Sequence, residues 1–158
     1  MSTEQANSQD LAVKVTEIKE SARRMPNPDG PDPVIGKFWF TLDVTALTRD
    51  LYVPVSISSG KKPTGFSYLI EGTVPGSIKT TDISCKGEGV TQITHGTIIY
   101  AKIPKGFRAT FSIRIEMRGT LGKSYRTVLY QMQYKLSPTD TRYQKLPLDI
   151  KGKMEKFR

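Results

Sequence analysis

The chain has 158 residues, 37% of them hydrophobic and 9% aromatic, which suits the core of one domain and excludes a membrane-spanning bundle. Its 24 Lys and Arg against 15 Asp and Glu leave a net charge of +9, with a single Cys and a single His. One Cys excludes an internal disulfide, and one Cys plus one His cannot supply a structural zinc site.

The opening residues, MSTEQANSQD, are polar and have no apolar stretch of the kind an export signal needs. That leaves two expectations: an extracellular or cell-surface protein if the chain is exported, and a cytoplasmic one otherwise. Leu11, Val13 and Val15 then fall on one side of an extended segment, and β-branched residues two apart favour a strand over about 11–18. Residues 1–25 therefore read as an N-terminal arm carrying one strand. A linker follows over 26–35, where four prolines stand between Met25 and Val34. Those prolines cannot donate to a ladder, and nine extended residues at ~3.1 Å each reach roughly 28 Å.

Beyond the linker, alternation at period two takes over. Phe38, Phe40, Leu42, Val44 and Ala46 point one way, with Lys37, Thr41, Asp43 and Thr45 on the other side. Trp39 falls on the outward side, an unusual place for so large an apolar group. The expectation is that the arm, or the tail with Leu146, Leu148 and Ile150, folds over it. Failing that, Trp39 marks a partner surface.

Leu51, Val53, Val55 and Ile57 repeat the pattern, with Pro54 demoting that strand to an edge or a bulge. Phe66, Tyr68 and Ile70 form the next strand, and a weaker one spans Ile78 to Cys85. Val90 to Ile103 holds two short strands or one bent at His95-Gly96. Phe111, Ile113, Ile115 and Met117 face inward along the next. Val128, Tyr130, Met132, Tyr134 and Leu136 share a face of the last. Residues 137–158 read as a basic tail, with Arg142, Lys145, Lys151, Lys153, Lys156 and Arg158 outnumbering Asp140, Asp149 and Glu155.

No helical stripe survives more than two turns, and Gly/Pro turns separate the short strands at near-regular spacing. The fold class expected is all-β: an antiparallel Ig-like β-sandwich of about 7–9 strands over 36–136, with the N-terminal strand-forming arm. Tyr125 bears on the Ig-like reading. In such sandwiches a Tyr near the start of a late strand anchors the preceding loop through its hydroxyl; the alternative is an ordinary cross-strand tyrosine.

Asp43-Val44-Thr45-Ala46 followed by Asp50-Leu51-Tyr52-Val53-Pro54 resembles a pattern in Ig-like β-domains of surface proteins from bacteria with reduced genomes. Pro104-Lys105-Gly106, Phe111-Ser112-Ile113 and Tyr125-Arg126 are similar to the later part of those domains. The resemblance spans about 36–136 and implies a fold and a surface location. It carries over no catalytic or binding residue, and the first 25 residues and the basic tail have no counterpart in it.

Patterns that carry chemistry are few. Any Ser-His-Asp or Cys-His site must include His95, whose setting reads as a turn, with Cys85 ten residues earlier. Gly87-Glu88-Gly89 is too short for a phosphate loop, and the acidic residues lack calcium-loop spacing. The expectation is a non-enzyme without cofactor or metal.

Two functions follow. In the first, the chain is a structural or adhesive subunit of a bacterial surface assembly (filament, pilus-like or surface layer). It self-associates by adding the arm strand, with Leu11, Val13, Val15 and Ile18 as the interface, to a neighbour's sheet. The competing possibility is that this strand belongs to its own sheet. In the second, the chain binds nucleic acid or an anionic polymer, as a virion coat protein or a ligand of an anionic cell-wall polymer. It would use the tail with Tyr143 and Phe157, plus Lys61, Lys62, Arg114 and Arg118.

Overall fold

The computed structural model describes residues 5–24, 34–59, 64–72 and 74–157. The proline-rich stretch 26–33, Lys61, Lys62 and Arg158 lie outside them. Among the described residues every regular element is a strand, and no helix is long and apolar enough to cross a membrane. In chain order these are β1 (Gln5–Asn7), β2 (Leu11–Arg24), β3 (Val34–Ala46), β4 (Leu51–Pro54), β5 (Ile57–Ser58), β6 (Phe66–Gly72) and β7 (Ser77–Lys86). Then come β8 (Thr91–His95), β9 (Ile98–Ile103), β10 (Arg108–Gly119), β11 (Ser124–Tyr134), β12 (Gln144–Lys151) and β13 (Glu155–Lys156).

They build a sandwich-like all-β architecture. One sheet runs β1-β2-β3-β10-β7; a second runs β12-β11-β6-β5, with β13 also on β11; a third runs β4-β9-β8. Reciprocal backbone hydrogen bonds between Tyr52 and Lys135 join β4 to the end of β11. Pairing is antiparallel throughout except where Ile57 and Ser58 run parallel to Phe66 and Ser67. The Val55 N–H past Pro54 still bonds to the Ile99 carbonyl at 2.9 Å, and the chain then crosses from β9's sheet to β6's.

The inward residues of β3 and β10 are those that alternation assigns. Phe38, Phe40, Leu42 and Val44 oppose Ile115, Ile113, Phe111 and Ala109, and Ala46 joins them in one continuous core. The Phe66 ring from the facing sheet meets Phe111 edge-on, centroids 5.1 Å apart. The hairpin at His95 closes through Gly96, whose φ of +65° suits a two-residue loop.

Two strands break the simple alternation. In β2 the register to β3 steps between Val15 and Glu17, so Thr16 is an extra residue and Ile18 returns to the core side opposite Phe40. In β11 the register steps between Leu129 and Gln131 against both neighbours. The core face of β11 is therefore Tyr125, Leu129, Met132 and Tyr134. Val128 and Tyr130, expected to share it, do not, because the bulge at Tyr130 reverses the strand's parity.

The segment expected to trail as a basic tail instead completes the second sheet. Leu146, Leu148 and Ile150 alternate inward along β12, and Phe157 is fully buried. Pro147 is tolerated because β12 is an edge strand.

Candidate functional site

The arm strand is the first candidate. β2 extends six residues past the expected end and pairs with β3 of its own chain from Leu11↔Ala46 to Arg24↔Val34. Leu11, Val13 and Val15 are buried in the core, with Ile18 half-buried against it. On its other side β1 is the one strand partner among the described residues, pairing with Ala12, Val13 and Lys14. From Val15 to Arg24 the outer backbone edge of β2 has no strand partner among the described residues.

The turn before β2 is fastened by Asp10. Its Oδ2 accepts from the Tyr134 hydroxyl at 3.1 Å, its Oδ1 accepts from Thr48 Oγ1 at 3.2 Å, and Arg49 Nε lies 4.0 Å away. Its carbonyl accepts from the Leu47 N–H at 2.8 Å. Burial foremost, with the adjacent Asp10 adding to it, holds the Tyr134 hydroxyl protonated above the usual tyrosine range. Sequence reasoning missed this fastening, since Asp10 and Tyr134 stand 124 residues apart with no pattern linking them.

Trp39 is the second candidate. It is half-buried on the outer face of the first sheet, in a cross-strand row of Lys19, Trp39, Arg114 and Asp82. A shallow depression of about 500 Å³ surrounds it, lined also by Glu17 and Ser112. The expected cover is not there: the arm lies beside Trp39 in the plane of the sheet, and the apolar residues of 137–158 enter the core on the opposite side.

The other sequence candidates are scattered. His95 is exposed at the tip of the β8–β9 hairpin, whereas Cys85 lies half-buried on β7 in another sheet, its thiol pushed up to about 11 by burial. Among the described residues no group of three His, Cys, Asp or Glu is placed to hold a metal. Of the aromatics considered for stacking on bases, Phe157 is fully buried. Tyr143 shares a 3.0 Å hydrogen bond with Tyr100, and Lys135 Nζ sits 4.6 Å above its ring.

The Tyr125 hydroxyl accepts the Thr120 N–H at 2.9 Å, holding the loop that precedes its strand. No protein-family model, curated protein or solved structure matches this chain.

Proposed function

We propose that this protein is a non-catalytic structural or adhesive subunit of a bacterial surface assembly, whose copies join by exchanging the N-terminal strand β2. The observation that carries the reading is the placement of β2. It contributes Leu11, Val13 and Val15 to the core, yet it lies next to the sheet edge and connects onward through a proline-rich segment. A strand whose outer edge is paired only over 12–14 among the described residues can leave its own sheet and make the same ladder in another copy, so the contacts are conserved and concentration sets the outcome.

Burying those three side chains contributes roughly 5–9 kcal/mol before ordering costs. Exchange therefore belongs to folding or assembly rather than to fraying of the finished domain. The same reading takes the sandwich as Ig-like, with the Tyr125–Thr120 anchor as its support. A binding role rather than catalysis accords with His95 and Cys85 lying in different sheets. The engaged state of Tyr143 and the burial of Phe157 weigh against the nucleic-acid alternative.

The test uses Ala12 and Thr45, which face each other across β2 and β3. Two full-length variants in a Cys85→Ala background, one Ala12→Cys and the other Thr45→Cys, are refolded together at high concentration and oxidised. Exchange predicts a disulfide between one copy of each. Exclusively uncrosslinked folded monomer at every concentration refutes it.

A further inference from the structure

Independently of strand exchange, we infer that the outer face of the first sheet is a binding site for a neutral polysaccharide, centred on Trp39. The reason lies in a contrast within this one face. Other rows of this face satisfy themselves: Glu116 accepts from Thr80 Oγ1 at 3.1 Å and lies 3.7 Å from Lys37 Nζ. Asp43 accepts from Thr110 Oγ1 at 2.7 Å, with Arg108 3.9 Å away.

Around Trp39 they do not: Lys19 pairs with Glu17 at 3.6 Å, but among the described residues the side chains of Trp39, Arg114 and Asp82, and of Ser112 and Ser84 in the next row, have no hydrogen-bond or ion-pair partner. Arg114 Nε is even shut off from solvent without an acceptor. Indole, guanidinium, carboxylate and hydroxyls thus line one depression unspent, whereas equivalent groups elsewhere on the face are paired.

That combination fits a sugar. The electron-rich face of an indole attracts the slightly positive C–H bonds on one side of a pyranose ring. The ring's hydroxyls, each donor and acceptor, match the Arg114 guanidinium beside the indole and the Asp82 carboxylate one strand beyond it. The charge balance selects against polyelectrolytes. Glu17 and Asp82 offset Lys19 and Arg114 around the depression, so a polymer of either sign meets two like charges. An open depression of about 500 Å³ on a sheet surface suits a chain that runs past, with no enclosed pocket needed.

The chain has one tryptophan, so its emission reports on this site alone. The full-length protein is titrated with cellohexaose, chitohexaose and maltohexaose, and separately with polygalacturonate as an anionic probe. The expected result is a saturable emission change with at least one neutral hexasaccharide, unaffected by raising NaCl several-fold. Affinity should fall about tenfold in Arg114→Ala and in Asp82→Ala, the scale of one lost hydrogen bond to a charged group. Calorimetry should find no binding by Trp39→Ala, with its far-ultraviolet dichroism intact. The inference is overturned by no saturable change with any neutral probe. Response to polygalacturonate alone, abolished by salt, or undiminished affinity in the Arg114 and Asp82 variants, overturns it equally.

Discussion

Phe157 closes one end of the core, and its removal tests whether the C-terminal segment is structural. The ring lies against Gly36 of β3 and Gly119 of β10, and it tilts over Tyr125 with centroids 4.6 Å apart. Its backbone is tied at both ends, N–H to the Lys123 carbonyl at 2.8 Å and carbonyl to the Gly122 N–H at 2.6 Å. A Cβ at Gly36 would overlap the ring, so Gly36→Ala in the intact protein should cost about 1–3 kcal/mol from overpacking. Phe157→Ala should cost about 3–5 kcal/mol through lost burial and the cavity it leaves.

In the Phe157→Ala background the added methyl enters that cavity. The usual preference of a strand for Ala over Gly, about 0.5–1 kcal/mol, then makes Gly36→Ala neutral or stabilising. The coupling between the two sites is therefore about 1–4 kcal/mol, read from urea unfolding followed by Trp39 emission and by dichroism. Phe157→Leu supplies a milder background should the alanine variant prove too unstable. A Gly36→Ala cost that is equal in all backgrounds refutes the packing argument.

Asp10→Ala removes the carboxylate that accepts from the buried Tyr134 hydroxyl, leaving only Ser8 Oγ at 3.4 Å, and should lower the unfolding free energy by about 1–3 kcal/mol, measured in urea. Burial raises the Cys85 thiol from 9.0 to about 11, so the folded state holds this proton more tightly than the unfolded chain. The thiol's contribution to stability is whole below pH 9.0 and is lost as pH rises to about 11; Cys85→Ala should flatten that part of the alkaline decline in urea midpoints. Gly96→Ala meets no neighbouring atom but must adopt φ near +65°, so about 1 kcal/mol should be lost through backbone strain alone, measured by thermal unfolding.

Strands β3 and β10 were legible because alternation at period two runs unbroken over 38–46 and 109–115, with phenylalanine and aliphatic side chains turned to the core. Alternation failed in β11 because one surplus residue at Tyr130 exchanges the faces, a step that depends on partners far away in sequence. The 137–158 segment was misread because its apolar alternation is short, interrupted by Pro147 and set among charges, all of which an edge strand tolerates. Trp39 stood out as an exposed anomaly from its register alone. Its neighbours Lys19, Arg114 and Asp82 did not, since only the strand order places them beside it.

The surplus Thr16 has a consequence for how β2 is received. With two residues facing one at that step, the ladder has a fixed index mark. Leu11, Val13 and Val15 on one side of the mark and Ile18 on the other reach the core together at a single offset. A strand of strict alternation slides by two residues and still buries an apolar face; this one cannot. Whichever copy supplies β2, it therefore docks at one position along β3, and subunits joined in this way would repeat at uniform spacing.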